Sequence, residues 1–233
     1  SQKTPFMDRA LALTSVVVIL GTFMTILDTT IVNVAIDTLA RDFNTDLTTI
    51  QWVSTGYLLA LATVIPLTGW AADRFGTKRL FLVSVLLFVL GSALAGTAQS
   101  VEQLIFYRVL QGLGGGMVMP AGMTILTRAA GTQRMGRMMG IVGVPMLMAP
   151  IFGPILGGYL VDEVSWRWIF YVNVPVGVAT LIAAWRILPT DVPAPSDRLD
   201  WKGFLLLSPG LAAFIYGLAQ IASAGGITAP KAW

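Results

Sequence analysis

Two charges stand where charges are expensive. Asp28 interrupts an apolar run that begins at Ala10 and continues to Ile36, and Arg108 lies inside a second run between Gln103 and Thr127. A charged group at the depth of hydrocarbon is costly unless it faces protein, a watered cavity or an opposite charge, so each is a functional candidate. For Asp28 the available chemistry is uptake and release of a proton; a static ion pair with Arg108 is the plainer alternative, and both stay open at this level. Thr25, Thr29 and Asn33 follow one another at four-residue spacing alongside Asp28, giving the helix a polar stripe and making Asn33 a candidate substrate contact. Gln111 and Gly112, three and four residues after Arg108, share its helix face, and Gln111 joins the same candidate list. Trp52, Tyr57 and Met119, with Met117 and Met123, would supply an aromatic and thioether wall adaptable to varied ligands, although the same residue types also serve for packing.

The chain that must position these groups has 233 residues, of which 55% are hydrophobic and only 12% charged. Soluble domains carry about 25% charged residues, so a bilayer is the solvent implied for most of this chain. Seven long apolar runs fit that reading: Ala10 to Ile36, Leu47 to Ala72, Leu80 to Val101, the run holding Arg108, Met138 to Val161, Trp168 to Trp185, and Gly203 to Pro230. The expected fold is therefore all-α, a polytopic membrane helix bundle. Only the segment from Pro189 to Lys202 reads as a linker, which divides the chain into a bundle over 1–188, a cytoplasmic linker over 189–202 and a seventh transmembrane helix within 203–233.

Lys3, Arg9, Arg74, Lys78, Arg79, Arg128, Arg134, Arg137, Arg186, Arg198 and Lys202 fall on one side of this alternation, whereas Arg41, Arg167 and Lys231 fall on the other. The positive-inside rule then puts the N-terminus in the cytoplasm of a multi-pass protein of the cell inner membrane. The net charge of +3 follows topology and forms no nucleic-acid patch. Without cysteine or histidine the usual nucleophiles, bases and metal ligands are missing, so neither a catalytic centre nor a metal site is expected. A retinal protein would need a lysine in its last helix, and Gly203 to Pro230 has none.

Three further segments carry motifs. The connection Gly69-Trp-Ala-Ala-Asp73-Arg74-Phe-Gly76-Thr-Lys78-Arg79 combines a turn glycine, an acid and three bases. Its G-x-x-x-D frame recurs at Gly158 to Asp162, a weak echo three spans later, of the kind left by inverted repeats. Ala149, Gly153 and Gly157 form a small-residue stripe on which a second helix can pack closely, while Pro145, Pro150 and Pro154 bend that helix or free its carbonyls. The stretch Trp166-Arg-Trp-Ile-Phe-Tyr-Val-Asn-Val-Pro175 fits an interfacial aromatic belt.

The G-x-x-x-D-R-x-G-x-K-R loop resembles that between the second and third spans of the major facilitator superfamily. The resemblance implies a conformational latch on Gly69, Asp73, Arg74, Gly76, Lys78 and Arg79. Arg108-x-x-Gln111-Gly112-x-Gly-x-Gly resembles the superfamily's fourth-span motif, which implies a proton-coupling role for Arg108. Gly143, Pro150, Gly153, Pro154, Gly157 and Gly158 resemble the fifth-span motif of its exporters, and Leu27-Asp28-x-Thr-Ile-Val-Asn33-Val-Ala resembles the first-span signature of the fourteen-spanner drug:proton antiporters. Asp37 stands where that signature usually continues with proline.

The resemblance implies a six-helix N-terminal half of the superfamily fold, built of 3+3 inverted repeats, with one further transmembrane helix and a C-terminal half missing from the sequence. The implied function is proton-coupled efflux of lipophilic or cationic drug-like compounds by alternating access, with Asp28 as proton carrier and Arg108 as partner. Export of lipid or another metabolite is the alternative, and a seven-helix receptor a more distant one. No cofactor beyond the proton gradient is expected. The expected partners are membrane lipids, a small-molecule substrate, protons and the remaining half.

Overall fold

The computed structural model describes residues 8–191, 193 and 199–223. Lys3, Arg198 and Lys231, used above for orientation, lie outside the described residues, as do positions 192 and 194–198 of the linker expected over 189–202 and the last run beyond residue 223.

Ten helices make up the described chain: α1 (Arg9–Asp42), α2 (Leu47–Ile50), α3 (Trp52–Val64), α4 (Leu67–Phe75), α5 (Thr77–Thr97), α6 (Val101–Ala130), α7 (Thr132–Glu163), α8 (Trp168–Tyr171), α9 (Asn173–Ile187) and α10 (Trp201–Ser223). No strand occurs among the described residues. Seven helical stretches are long and apolar enough to cross a membrane, α2 with α3 and α8 with α9 each counting as one. Their outward faces are greasy, with Leu147 75% and Leu206 78% exposed, as lipid-facing surfaces require.

Local chemistry explains the boundaries. Asp8 caps α1 by accepting from Leu11 N at 2.7 Å, and Ser100 caps α6 by accepting from Gln103 N at 3.3 Å. Gly76 (φ 89°) and Gly131 (φ 69°) end α4 and α6 in the left-handed region that glycine enters without penalty. The run from Leu47 to Ala72 is interrupted at Ile65–Pro66, between α3 and α4, because proline has no N–H to continue the ladder. Pro120 and the three prolines of α7 are instead accommodated within continuous helices. The last helix starts inside the stretch read as linker, because Asp200 Oδ1 accepts from Gly203 N at 2.9 Å and so initiates α10 at Trp201.

Small residues bring the helix axes together, which fixes the depth of the polar groups they carry. A Cβ on Gly91 of α5 would sit 2.7 Å from the Gln111 backbone, and one on Gly114 of α6 would sit 2.5 Å from Phe88 N. On the other flank of α6, Gly112 abuts the Tyr57 carbonyl and Gly116 approaches Leu61 O of α3 to 2.5 Å. Gly153 of α7 lies against Thr30 and Gly157 against Ile31 of α1, so the small-residue stripe faces the first helix. Three buried clusters result, one around Phe81, Phe88 and Val118, one around Ile31, Leu104 and Phe170, and one around Leu11, Leu126 and Met138.

The bundle has two chemically different ends. One gathers the starts of α1, α5 and α7 with the ends of α4, α6 and α9, and is basic: Arg134 pairs with Asp8 at 3.6 Å, and Lys78 Nζ donates to the Trp185 and Leu188 carbonyls at 2.8 and 2.6 Å. At the other end Trp166 Nε1 donates to Asp42 Oδ2 at 2.7 Å, and Arg167 donates to the Gly96 and Ala98 carbonyls at 2.9 and 2.8 Å. Asp73, on α4, belongs to the basic end, and Asp162, on the last turn of α7, to the other. Helix α10 lies along α3, where Ser208 Oγ donates to Thr63 O at 2.9 Å and Trp52 stacks on Tyr216 at 5.8 Å.

Candidate functional site

Asp28 and Arg108 meet. Arg108 NH1 donates to Asp28 Oδ2 at 2.6 Å, with the two side chains 1% and 0% exposed. The close packing of α5 and α3 against the glycines of α6 puts the Arg108 turn in the middle of the bundle. Five elements contribute to the network around Asp28 of α1. From α6, Gln111 Nε2 donates to Asp28 Oδ1 at 2.9 Å while its Oε1 accepts from Arg108 NH1 at 2.6 Å. From α3, the Val53 carbonyl accepts from Arg108 Nε at 3.2 Å, and the Tyr57 ring lies 4.1 Å beneath the guanidinium carbon. From α9, Asn173 Nδ2 donates to Asp28 Oδ1 at 2.7 Å and to Ser92 Oγ of α5 at 3.1 Å, and Ser92 passes its own hydrogen to Phe170 O at 2.8 Å.

The arrangement solves the cost of burying two charges by pairing them and giving both carboxylate oxygens hydrogen-bond donors. It does so entirely with groups that donate to Asp28, which makes the cage complementary to a carboxylate. The Tyr57 hydroxyl and Thr22 Oγ1 are buried without a hydrogen-bond partner among the described residues.

The residues expected to contact substrate divide into two sets. Tyr57 and Gln111 are wholly buried in the ion-pair network. Trp52 and Met119 are 38% and 43% exposed. Asn33 is also exposed, and accepts from Ser54 Oγ at 3.2 Å across the α1–α3 boundary. Asn173 and Ser92 escaped the sequence reading. For Asn173 the sequence does carry a signal, an amide set between valines in an apolar run.

A second polar cluster closes the basic end. Asp191 Oδ2 accepts from Thr77 N at 2.6 Å and Oδ1 from Lys78 N at 3.3 Å, capping the start of α5. Gly76 permits this approach, since a Cβ there would lie 3.1 Å from the Asp191 carboxylate. Arg128 NH1 donates to Asp191 Oδ2 at 2.9 Å and to Thr77 Oγ1 at 2.9 Å, and Arg128 NH2 stands 3.9 Å from Asp73 Oδ1. The acid of the loop motif is therefore met by Arg128 from α6, whereas Arg74 and Arg79 extend to the exposed surface. Asp191 and Arg128 were not among the latch residues read from sequence, because a linker acid and a helix-end arginine have no distinctive spacing.

Burial opposes ionisation of Asp191, but the Thr77 and Lys78 donors outweigh it and hold the carboxyl below the ordinary aspartate value. A depressed carboxyl contributes stability above its unfolded value, and that contribution is lost only as pH falls through the lowered folded one. Acidification from pH 7 to 5 is accordingly expected to leave hydrogen-exchange protection at the α4–α5 turn, the rate relative to an unstructured peptide at the same pH, unchanged, whereas Asp191→Asn is expected to lower it about tenfold, the equivalent of one charged hydrogen bond of about 1.5 kcal/mol.

The pattern of the Major Facilitator Superfamily matches residues 18–230. This chain belongs to that superfamily. It is 50% identical over 219 residues to the multidrug resistance protein B homolog of Mycobacterium tuberculosis, covering 94% of this chain and 41% of that protein. It is 44% identical over 208 residues to the multidrug export protein EmrB of Haemophilus influenzae, covering 89% and 41%. The chain thus spans 41% of the length of each of these superfamily relatives. Among solved structures, a peptide transporter POT in complex with sulfate superposes with a TM-score of 0.69 at 18% identity, over 97% of this chain and 49% of that one. The human organic anion transporter MFSD10 does so with a TM-score of 0.66 at 17% identity, over 96% and 58%. At such identities the likeness shows the superfamily fold alone. As a member of a transporter superfamily, the chain is not an enzyme.

Proposed function

We propose that this chain forms the N-terminal, proton-handling part of an efflux antiporter that exports lipophilic or cationic drug-like compounds by alternating access. The observation that carries this reading is the buried Asp28–Arg108 pair, whose carboxylate is the one ionisable acid described at the centre of the bundle. The relatives named for multidrug resistance and export support the substrate class. The excess of lysine and arginine at the basic end supports placing that end, with the N-terminus, in the cytoplasm of a bacterial inner membrane.

In this mechanism a proton arriving from outside neutralises Asp28, which removes the charge that attracts Arg108 and loosens α1 from α6. Release of the proton to the cytoplasm restores the pair. A cationic substrate favours the anionic form of Asp28, so substrate and proton bind at each other's expense, and linkage makes that competition reciprocal. Asn33, Trp52 and Met119 offer exposed polar, aromatic and thioether contacts for the substrate, while Tyr57 and Gln111 act from within the network. The cluster of Asp73, Arg128, Asp191 and the α5 N-terminus serves as the cytoplasmic latch, and the α1–α7 glycine crossing lets α1 shift against its neighbour.

The test is transport of a fluorescent lipophilic cation by the full-length protein in inverted membrane vesicles. Uptake that follows an imposed proton gradient and ceases when a protonophore collapses it is expected; uptake indifferent to the gradient contradicts the coupling.

A further inference from the structure

The donors around Asp28 are not equivalent, and their distribution bears on where its proton goes. Oδ1 receives two neutral amide hydrogens, from Gln111 Nε2 and Asn173 Nδ2, whereas Oδ2 receives the charged donor Arg108 NH1. A neutral amide donates to the carbonyl oxygen of a carboxylic acid as well as to a carboxylate oxygen, more weakly but without losing the bond. A guanidinium bond owes most of its strength to the opposing charge. We infer that Asn173 is a positioning residue for proton exchange: with Gln111 it holds Oδ1 as the carbonyl oxygen in both charge states, so the proton binds Oδ2 and the bond that opens is the one to Arg108.

The surroundings of Asn173 suit this role. Asn173 opens α9 immediately after the break that separates it from α8, and it is 1% exposed. Its amide direction is fixed by Ser92, whose single hydrogen is spent on the Phe170 carbonyl, leaving an oxygen lone pair that only a donor can meet. Hydrogens therefore point outward from Asn173 in both directions, through Ser92 to the Phe170 carbonyl and directly to Asp28. Flipping the Asn173 amide would put its oxygen against Asp28, so the cage resists it. Among the described residues, the titratable and charged groups facing Asp28 are Arg108 of α6 and Tyr57 of α3, while α5 and α9 bring the neutral Ser92 and Asn173.

The consequence is directional. On protonation α1 stays bonded through Oδ1 to Asn173 of α9 and Gln111 of α6, and the tie released is the charged one to Arg108. This inference rests on proton exchange at Asp28, and the experiment separates the two. The full-length protein in liposomes is titrated by infrared difference spectroscopy, following the carboxylic C=O band, alongside the pH profile of efflux.

Wild type is expected to give a hydrogen-bonded C=O band that Asp28→Asn removes. Asn173→Ala is expected to move that band to higher frequency, as loss of a donor to the carbonyl does, and to shift the midpoint of the efflux pH profile upward by about one unit, because the anion loses a donor. Ser92→Ala, which keeps all three donors and loosens only the orientation of one, is expected to shift both in the same direction by less. A band and midpoint unchanged in both variants would overturn the positioning role while leaving proton exchange intact. A wild-type band that survives Asp28→Asn would instead remove the reading on which it rests. The infrared readout holds even where transport is lost.

Discussion

Asp28→Asn is expected to yield a folded transporter that no longer accumulates substrate against a gradient. Asparagine keeps the shape of aspartate and an acceptor oxygen for Arg108, so most of the packing survives, although its amide hydrogens meet the Gln111 and Asn173 donors at some cost in stability. It cannot bind or release a proton near neutral pH, so the two charge states that the cycle alternates between collapse into one. Active efflux should fall to the level of cells lacking the protein, a loss of a hundredfold or more, while equilibrium exchange of labelled for unlabelled substrate persists. Measuring exchange beside active efflux is what gives the variant its value, because a merely misfolded protein would lose both.

The second large effect concerns stability. Arg108→Ala leaves the Asp28 carboxylate in the middle of the bundle with amide donors only, and removing one partner of a buried ion pair costs about 3–5 kcal/mol because the other charge is stranded. Adding Asp28→Asn to that variant removes the stranded charge and is expected to restore most of the loss. Unfolding of the four proteins in detergent, arranged as a double-mutant cycle, reads the coupling directly. If Arg108→Ala were equally damaging with and without Asp28, its role would lie with Val53, Gln111 and Tyr57 instead of with the acid.

How far the sequence reached can be followed residue by residue. Asp28 and Arg108 were legible because each is a charge inside an apolar run, and hydrocarbon allows few reasons for that. The face shared by Arg108, Gln111 and Gly112 was legible from helical spacing, and the structure shows its use: Gln111 bridges the pair while Gly112 lets α3 come close enough to place Tyr57 beneath the guanidinium. The small-residue stripe of α7 was legible as a packing face, but which helix it met was not, since periodicity describes one helix at a time.

What escaped were contacts made between distant segments by residues of ordinary type. Asn173 lies 145 positions from Asp28, and no local pattern links them. Asp191 caps α5 from 114 residues away, in a proline-rich stretch whose composition said only that it connects. The break at Pro66 was visible as a proline, yet Pro120, Pro145, Pro150 and Pro154 sit within unbroken helices, so the residue alone did not decide it. In each case the missing information was tertiary: whether a neighbour supplies the hydrogen bond that the chain itself lacks.

The central claim is that Asp28 changes charge opposite a fixed guanidinium once in every transport cycle. It is tested most directly by loading liposomes bearing the full-length protein with a pH-sensitive dye and imposing a substrate gradient without a proton gradient. The account predicts that substrate flowing in one direction drives protons in the other, and that Asp28→Asn permits the substrate flow with no proton movement. Proton movement of the same size in Asp28→Asn would contradict it.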